Sequence, residues 1–427
     1  MQMFQDEKLK RYKSDVLCIS QTWNRRDFTS GVAAYLNGET ERILAISGLR
    51  GTGKTVGILQ AADDLDALYL LASKNDDKSG NDYIDIIKNT DKKYVIIDEY
   101  SWIPDRKNLD YYLLTAVQNG KRIVITGTES ISLDFLNYGR LMHRIDSLHT
   151  TMFTYEEYLR LYNLEHNKET CIRFLTEGGL FKEYALKNYA SAKAYIEEAI
   201  VDNLAGYLKE EISEEKARAL TYAVLYKAIC PSNLSSIPVL HRAHVTVENF
   251  LETMGVNTGI VPTSAELNKV ADIFEHIGVI ARIQNYNKNS ELREQYYIAN
   301  PSLTCQLIKA AYNLNEIENS ILGHVFESVV AMQLYSNRTS EDEIYFYNSG
   351  TIKGNPDNNE LDLILTDRTK NFAYFFECKF SQNDNVSTDI TLLSGQLEKN
   401  EFKNTDIAGR YVIYNGKPCV KEYAIGT

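Results

Sequence analysis

The sequence predicts an α/β chain in which a parallel sheet edged by a glycine loop is followed by helices, a helix-and-hairpin unit and a second α/β unit. Three stretches carry that expectation. A short apolar run, Ile43-Leu44-Ala45-Ile46, leads into Gly48-Leu49-Arg50-Gly51-Thr52-Gly53-Lys54-Thr55 and then into Val56-Gly57-Ile58-Leu59-Gln60-Ala61-Ala62. A second run, Tyr94-Val95-Ile96-Ile97, ends in Asp98-Glu99. Near the end, Asp362 lies in one alternating run and Glu377-Cys378-Lys379 in the next, with Glu327 on a preceding helical stretch.

The first stretch has the form Gly, four residues, Gly-Lys-Thr, set between a strand and a helix, which is the context a phosphate-binding loop needs. Gly48, Gly51 and Gly53 let the backbone curl so that its N–H groups face phosphate oxygens, and the helix N-terminus adds a field that favours anions. Lys54 reaches the β- and γ-phosphates, and the Thr55 hydroxyl ligates magnesium. These residues predict a P-loop NTPase that binds a nucleoside triphosphate with Mg²⁺.

The elements after the loop follow in order. Ala67-Leu68-Tyr69-Leu70-Leu71 reads as a second strand. Asp98, delivered by the third strand to the sheet edge, holds the magnesium shell through water, and Glu99 is placed to polarise an attacking water. Arg122-Ile123-Val124-Ile125-Thr126-Gly127-Thr128 reads as a fourth strand. Thr126 or Thr128 is a candidate γ-phosphate sensor, and a plain strand-end turn is the equal alternative. A fifth strand is expected near Ile145. Before it, Arg140 and Arg144 are candidates to stabilise transferred phosphate charge, in cis or from a neighbouring subunit, against the commoner solvated arginine. The first forty residues read as helical, and Arg25-Arg26 within them as part of a helix packed on this domain.

From Phe153 the pattern turns helical and describes a small lid. Further on, Thr263-Ser264-Ala265-Glu266 is a capping box, and Leu267, Val270, Ala271, Phe274 and Ile277 fall on one face at helical spacing. Val279–Ile283 and Gln295–Ile298 then form a hairpin. Helices followed by a hairpin describe a winged helix; with no basic recognition helix, a packing role is favoured over DNA binding. The expected domains are 1–152, 153–212, 213–301 and 302–427.

The last unit holds the second chemical constellation. Ile321, Val325, Val329 and Met332 mark the apolar side of the helix that carries Glu327. Strand periodicity puts Glu377 and Lys379 on one face and Phe376, Cys378 and Phe380 on the other. An acid on one strand and Glu-x-Lys on its hairpin neighbour is the layout of metal-dependent phosphodiester cleavage. Asp362, Glu377 and the Cys378 carbonyl are hard oxygen ligands suited to Mg²⁺ or Mn²⁺, with Glu327 completing the shell. Lys379 positions the attacking water or offsets charge on the phosphate. An amphipathic hairpin with a Glu/Lys surface pair is the bland alternative.

Composition bounds these readings. A chain of 427 residues suggests about three domains. Its 44% hydrophobic and 24% charged residues are those of an ordinary globular protein. No apolar run approaches a membrane span and no signal-peptide core is seen at the start, so a cytoplasmic address without membrane contact is expected. The six cysteines are scattered without a Cys-x-x-Cys pair, which argues against zinc. A net charge of −12 argues against tight, constitutive, non-specific nucleic-acid binding.

Taken in order, several motifs resemble one group. They are Gly48–Thr55, Val95–Glu99, Ile125–Thr128, Gly139-Arg140, Phe153-Thr154-Tyr155-Glu156-Glu157-Tyr158 and Gly178-Gly179, then Gly323–Glu327, Glu360-Leu361-Asp362 and Glu377–Lys379. The chain is similar to prokaryotic ATPases of the AAA+ class whose C-terminal part is an uncharacterised domain with a PD-(D/E)XK nuclease-like core. The resemblance implies a five-stranded nucleotide domain, a helical lid, a winged helix and a restriction-endonuclease-like α/β domain. The Pro-Asp of the class name is absent, since Asp362 follows Glu360-Leu361, and the region of Arg25-Arg26 matches loosely.

Two functions from different classes follow. In the leading one, ATP binding or hydrolysis controls a metal-dependent nuclease acting on nucleic acid, DNA foremost. In the other, a nucleotide-switched protein presents a non-cleaving nuclease-like platform to a partner. A homo-oligomer or a protein partner fits either. A protein-remodelling ATPase is a weaker third reading, because no pore-loop signature is evident.

Overall fold

Five strands in the first 150 residues, four of them dominated by apolar residues, form one parallel sheet in the computed structural model of the chain. It describes residues 23–73, 78–127, 144–180, 186–208, 211–230, 245–290, 292–348, 360–367, 371–380, 402 and 405–414. Described residues fall into two compact units, one within 1–164, 180–184 and 196–217, the other within 165–179, 185–195 and 218–427.

In the first unit the strands are β1 (Ile43–Gly48), β2 (Ala67–Leu71), β3 (Tyr94–Asp98), β4 (Arg122–Thr126) and β5 (Ile145–Thr150), in the order β2-β3-β4-β1-β5. All four pairings are parallel. Parallel strands are covered on both faces, which is why they read as unbroken apolar runs. Ile43, Ala45, Leu68, Leu70, Val95, Ile97, Ile123 and Ile125 form one core with Tyr83, Ile84 and Ile87 and with Leu109, Leu113 and Val117. Leu44, Ile46, Tyr69, Ile96 and Val124 form the other with Val32, Leu36, Ile58 and Leu59. The helices supplying these partners are α1 (Phe28–Asn37), α2 (Lys54–Ala61), α3 (Gly80–Lys88) and α4 (Lys107–Gln118). Helix α5 (Tyr155–Tyr162) follows β5 and opens with a capping box between Thr154 and Glu157.

The second unit is built on a six-stranded mixed sheet. After helix α6 (Ser264–His276) come β6 (Ile280–Asn285) and β7 (Glu294–Ile298), helices α7 (Pro301–Ala311) and α8 (Asn319–Asn337), then β8 (Asp342–Asn348), β9 (Glu360–Asp367), β10 (Phe372–Lys379) and β11 (Asp406–Tyr414). The order is β11-β10-β9-β8-β6-β7. Helix α8 packs Val330, Ala331 and Met332 against Ala281, Ile283, Tyr297, Phe346 and Leu363, while Leu361, Ile364, Ala373, Phe375 and Phe402 form a separate core. Val329, expected on the apolar side of α8, is only half-buried, and Val330 and Ala331 take its place. The capping box at Thr263 and Glu266 and the hairpin of β6 with β7 are both present.

Two features differ from the expected division of the chain. The hairpin does not stand apart as a wing, because β6 pairs in parallel with β8 through Gln284↔Tyr345 and Asn285↔Phe346. The expected boundary at residue 301 thus runs between strands of one sheet. The expected lid, 153–212, is shared, with Tyr155–Tyr162 in the first unit and Lys168–Glu177 and Tyr189–Tyr195 in the second. Among the described residues no helix is long and apolar enough to cross a membrane.

Candidate functional site

The nucleotide-site residues gather at the carboxyl ends of β1, β3 and β4, where ligands bind in open α/β sheets. Gly48, Gly51 and Gly53 have φ of 141°, 81° and 84°, values that an L side chain rarely adopts. At Gly48 a Cβ would also lie 2.0 Å from Thr150 Oγ1, so only glycine fits where the loop leaves β1. Helix α2 starts at Lys54 with Gly53 as its N-cap. Lys54 is buried, and its Nζ donates to Gly48 O at 2.7 Å and Leu49 O at 3.0 Å. Burial pushes the Lys54 pKa down, against the pull of Glu99 and Asp98.

Asp98 is the hub of this site. Its side chain accepts from Thr55 Oγ1 at 2.7 Å, Thr126 Oγ1 at 2.5 Å and Tyr69 OH at 2.5 Å. A hydroxyl that donates to Asp98 keeps lone pairs for a cation, so Thr55 and Asp98 fit the expected Mg²⁺. Glu99 sits at φ 56°, a left-handed conformation uncommon for a non-glycine residue. Its N–H points to Asp98 Oδ1 at 3.2 Å and Thr126 Oγ1 at 3.3 Å. Thr126 therefore spends its hydroxyl proton on Asp98. Arg140 and Thr128 lie outside the described residues.

Two contributors were not read from the sequence as site residues. Tyr69 looked like an ordinary strand residue; the available signal was that β2 neighbours β3, which puts a long phenol within reach of Asp98. Arg26 was read as part of a plain packing helix. It is buried, and it forks onto Glu157 with Nε at 3.1 Å and Nη2 at 2.6 Å. Its Nη1 donates to Thr52 O at 2.7 Å and Thr151 O at 3.0 Å.

In the second unit α8, β9 and β10 bring Glu327, Asp362, Glu377 and Lys379 into one electrostatic cluster. Register places Leu363 opposite Phe376, which sets Asp362 beside Glu377 on the neighbouring strand. Asp362 Oδ2 accepts the Cys378 N–H at 2.6 Å, and Lys379 Nζ bonds Glu377 Oε1. Tyr297 OH lies 2.7 Å from Glu327 Oε1, and His324 Nδ1 is 3.9 Å from Glu327 Oε2. Glu360 adds a fourth acid that sequence reading did not place at the site; it lies two residues, one strand period, before Asp362.

Burial and the neighbouring acids raise the pKa of Glu327, Glu360 and Asp362. Glu327 is pushed up to about 7 by burial and by the nearby Glu360 and Glu377. Asp362 is pushed up by burial, Glu327 and Glu377. Burial works against the charge of Lys379, but Glu377 and Asp362 outweigh it and raise its pKa. Oxygen donors with surplus negative charge have the chemistry of a divalent-cation site. They are not arranged as a ready cage: among the described residues no three His, Cys, Asp or Glu side chains stand in a metal-holding group. Each expected ligand faces a protein partner instead, Glu377 its lysine, Asp362 an amide and Glu327 a tyrosine.

Comparisons with known proteins bear on the two units separately. Residues 40–159 match a family described as an AAA domain. Residues 297–391 match one described as "Archaea bacterial proteins of unknown function". No curated protein matches the chain. Among solved structures, a Walker-type ATPase of Pyrococcus abyssi is 14% identical, covering 66% of this chain and 95% of that one, with a TM-score of 0.38. The Orc1 protein of Aeropyrum pernix in complex with DNA is 12% identical over 69% and 92%, TM-score 0.26. The RuvB Holliday junction branch migration motor of Thermotoga maritima is 14% identical over 65% and 89%, TM-score 0.25. Superpositions this loose carry no argument about either unit. The AAA-domain match coincides with the phosphate loop and with Asp98 and Glu99, and the first unit is an AAA-type P-loop ATPase.

Proposed function

We propose that ATP binding or hydrolysis in the first unit controls a metal-dependent nuclease in the second, acting on nucleic acid and on DNA foremost. The observation that carries this reading is the meeting of Glu327, Asp362, Glu377 and Lys379 from three separate elements on a chain that also bears an ATPase site. In the ATPase site Gly48, Gly51, Gly53 and Lys54 hold the phosphates, Thr55 and Asp98 hold Mg²⁺, Glu99 polarises the attacking water and Thr126 senses the γ-phosphate through Asp98. Arg140 is retained as a candidate contact to transferred phosphate charge.

In the second site Asp362, Glu377 and Glu327 would hold Mg²⁺ or Mn²⁺, which supplies Lewis-acid polarisation of the scissile phosphate when bound. Lys379 exchanges its bond to Glu377 for the attacking water and orients it toward phosphorus. That water gives up one proton to solvent as its oxygen bonds to phosphorus, one ester P–O bond breaks, and the departing oxygen takes up a proton from solvent. Lys379 also offsets the charge that grows on the non-bridging oxygens.

The test is nucleic-acid cleavage by purified protein with Mg²⁺ or Mn²⁺, with and without ATP, alongside Lys54→Ala and Asp362→Ala. Cleavage that Asp362→Ala abolishes, and that responds to ATP only with Lys54 intact, is the expected result. A preparation that hydrolyses ATP and cuts no form of DNA or RNA overturns the nuclease. The second reading, a nucleotide-switched platform that does not cut, is favoured by the Glu377–Lys379 pair and by the acids' lack of a ready cage.

A further inference from the structure

We propose that Arg26, held by Glu157, is a positioning residue of the ATPase site that sets the phosphate loop through the carbonyl of Thr52. Arg26 precedes α1 and belongs to no nucleotide motif, yet its donors converge on the loop and its surroundings. Nε and Nη2 fork onto the Glu157 carboxylate, and Nη1 is shared between Thr52 O and Thr151 O. The guanidinium lies 4.6 Å from the centre of the Phe153 ring, which leaves it little room to swing. Glu157 is fixed in turn, accepting the Asp27 N–H at 3.1 Å and the Thr154 N–H at 3.4 Å.

The consequence follows from peptide geometry. In a planar trans peptide the C=O and the following N–H point in opposite directions. The Thr52–Gly53 peptide is trans. A guanidinium that holds Thr52 O on the outside of the loop therefore turns the Gly53 N–H toward the inside, where the N-terminus of α2 receives phosphate. The Thr52 side chain is anchored as well, with Oγ1 donating to Leu49 O at 2.8 Å and lying 2.8 Å from Thr150 Oγ1. Of the groups touching Thr52 O, Arg26 brings a charge-assisted donor, the kind strong enough to keep the peptide from flipping when the loop is empty. Lysine cannot reproduce this, because one ammonium cannot fork onto Glu157 and reach two carbonyls.

A buried ion pair that merely joins α1 to α5 has the same contacts but different consequences. It would lower thermal stability and leave nucleotide affinity intact. The experiment compares the full chain with Arg26→Lys and with the double variant Arg26→Met/Glu157→Leu, which replaces the buried pair by apolar side chains and so removes the uncompensated charge. The readouts are melting temperature without nucleotide, Kd for ATP and for inorganic tripolyphosphate, and kcat and KM for ATP. The expected result is a rise of about tenfold or more in Kd for both ligands and in KM, the factor one charge-assisted hydrogen bond is worth, with a smaller change in kcat. Tripolyphosphate has no base, so equal losses for both ligands assign the defect to the phosphate loop. Wild-type Kd values in either folded variant overturn the proposal, and Arg26→Lys alone decides it should the double variant fail to fold.

Discussion

Glu157 shows how much a buried charge depends on its partner. Burial works to raise its pKa, but the fork from Arg26 and the N–H groups of Asp27 and Thr154 outweigh it and hold the carboxyl below its ordinary value. A carboxyl with a depressed folded pKa stabilises the fold fully above its unfolded value of about 4.3 and loses that contribution as pH falls through the folded one. Glu157→Gln leaves Arg26 buried without its anion, at about 3–5 kcal/mol near neutral pH. The gap in melting temperature between wild type and this variant should narrow as pH drops below about 4.3; a gap that widens there contradicts the assignment. Tyr69 makes a second case. Its hydroxyl and that of Thr55 donate to the same oxygen of Asp98. Tyr69→Phe removes a hydrogen bond to a charged group, worth about 1.5–3 kcal/mol. The Mg²⁺ concentration for half-maximal ATP hydrolysis should rise several-fold, with ATP binding in chelator unchanged. Unaltered Mg²⁺ dependence would show that Thr55 and Thr126 suffice to orient Asp98.

At the scale of elements, α8, β9 and β10 each contribute acid to one place, and like charges brought together oppose folding. Asp362→Asn relieves part of that repulsion while keeping an oxygen to accept the Cys378 N–H. In chelator this variant should melt higher than wild type, by about 2–4 °C for each kcal/mol relieved, and it should have no nuclease activity. A lower melting temperature would mean that the Asp362 charge is stabilising as it stands. These elements were legible in the sequence because each announces itself locally: β1, β3 and β4 as apolar runs buried on both faces, α6 by its capping box, β9 and β10 by alternation. Asp362 and Glu377 were legible as a pair because a strand period of two predicts faces, whereas Glu327 reaches them from helix α8, on which that period has no bearing. What stayed hidden is non-local. The pairing of β6 with β8 rests on backbone bonds at Gln284↔Tyr345 and Asn285↔Phe346, which leave no mark on either stretch alone. Arg26 was hidden for the same reason, since Glu157 lies 131 residues away.

For the whole molecule, control of one unit by ATP in the other is a statement about linked equilibria. If ATP changes the affinity of the second unit for nucleic acid by some factor, nucleic acid changes the affinity for ATP by the same factor. That reciprocity can be read in this chain without labels. Its two tryptophans, Trp23 and Trp102, both belong to the first unit, so their fluorescence follows the ATPase. Asp362→Ala, expected under the proposed function to bind without cutting, is the form to use. Its Kd for ATP would be measured from tryptophan fluorescence with and without saturating duplex DNA, and its Kd for DNA with and without ATP. A coupling of about 1–3 kcal/mol, typical of allosteric proteins, makes each Kd shift roughly 5- to 150-fold and makes the two shifts equal. With a net charge of −12, the proposed DNA affinity would depend on a local cationic surface and weaken steeply with salt, so both titrations need one fixed ionic strength. Equal, non-zero shifts establish that ATP and nucleic acid bias the same conformational equilibrium. An ATP affinity indifferent to DNA, in protein that binds both, removes control of nucleic-acid binding by ATP and leaves two independent activities on one chain.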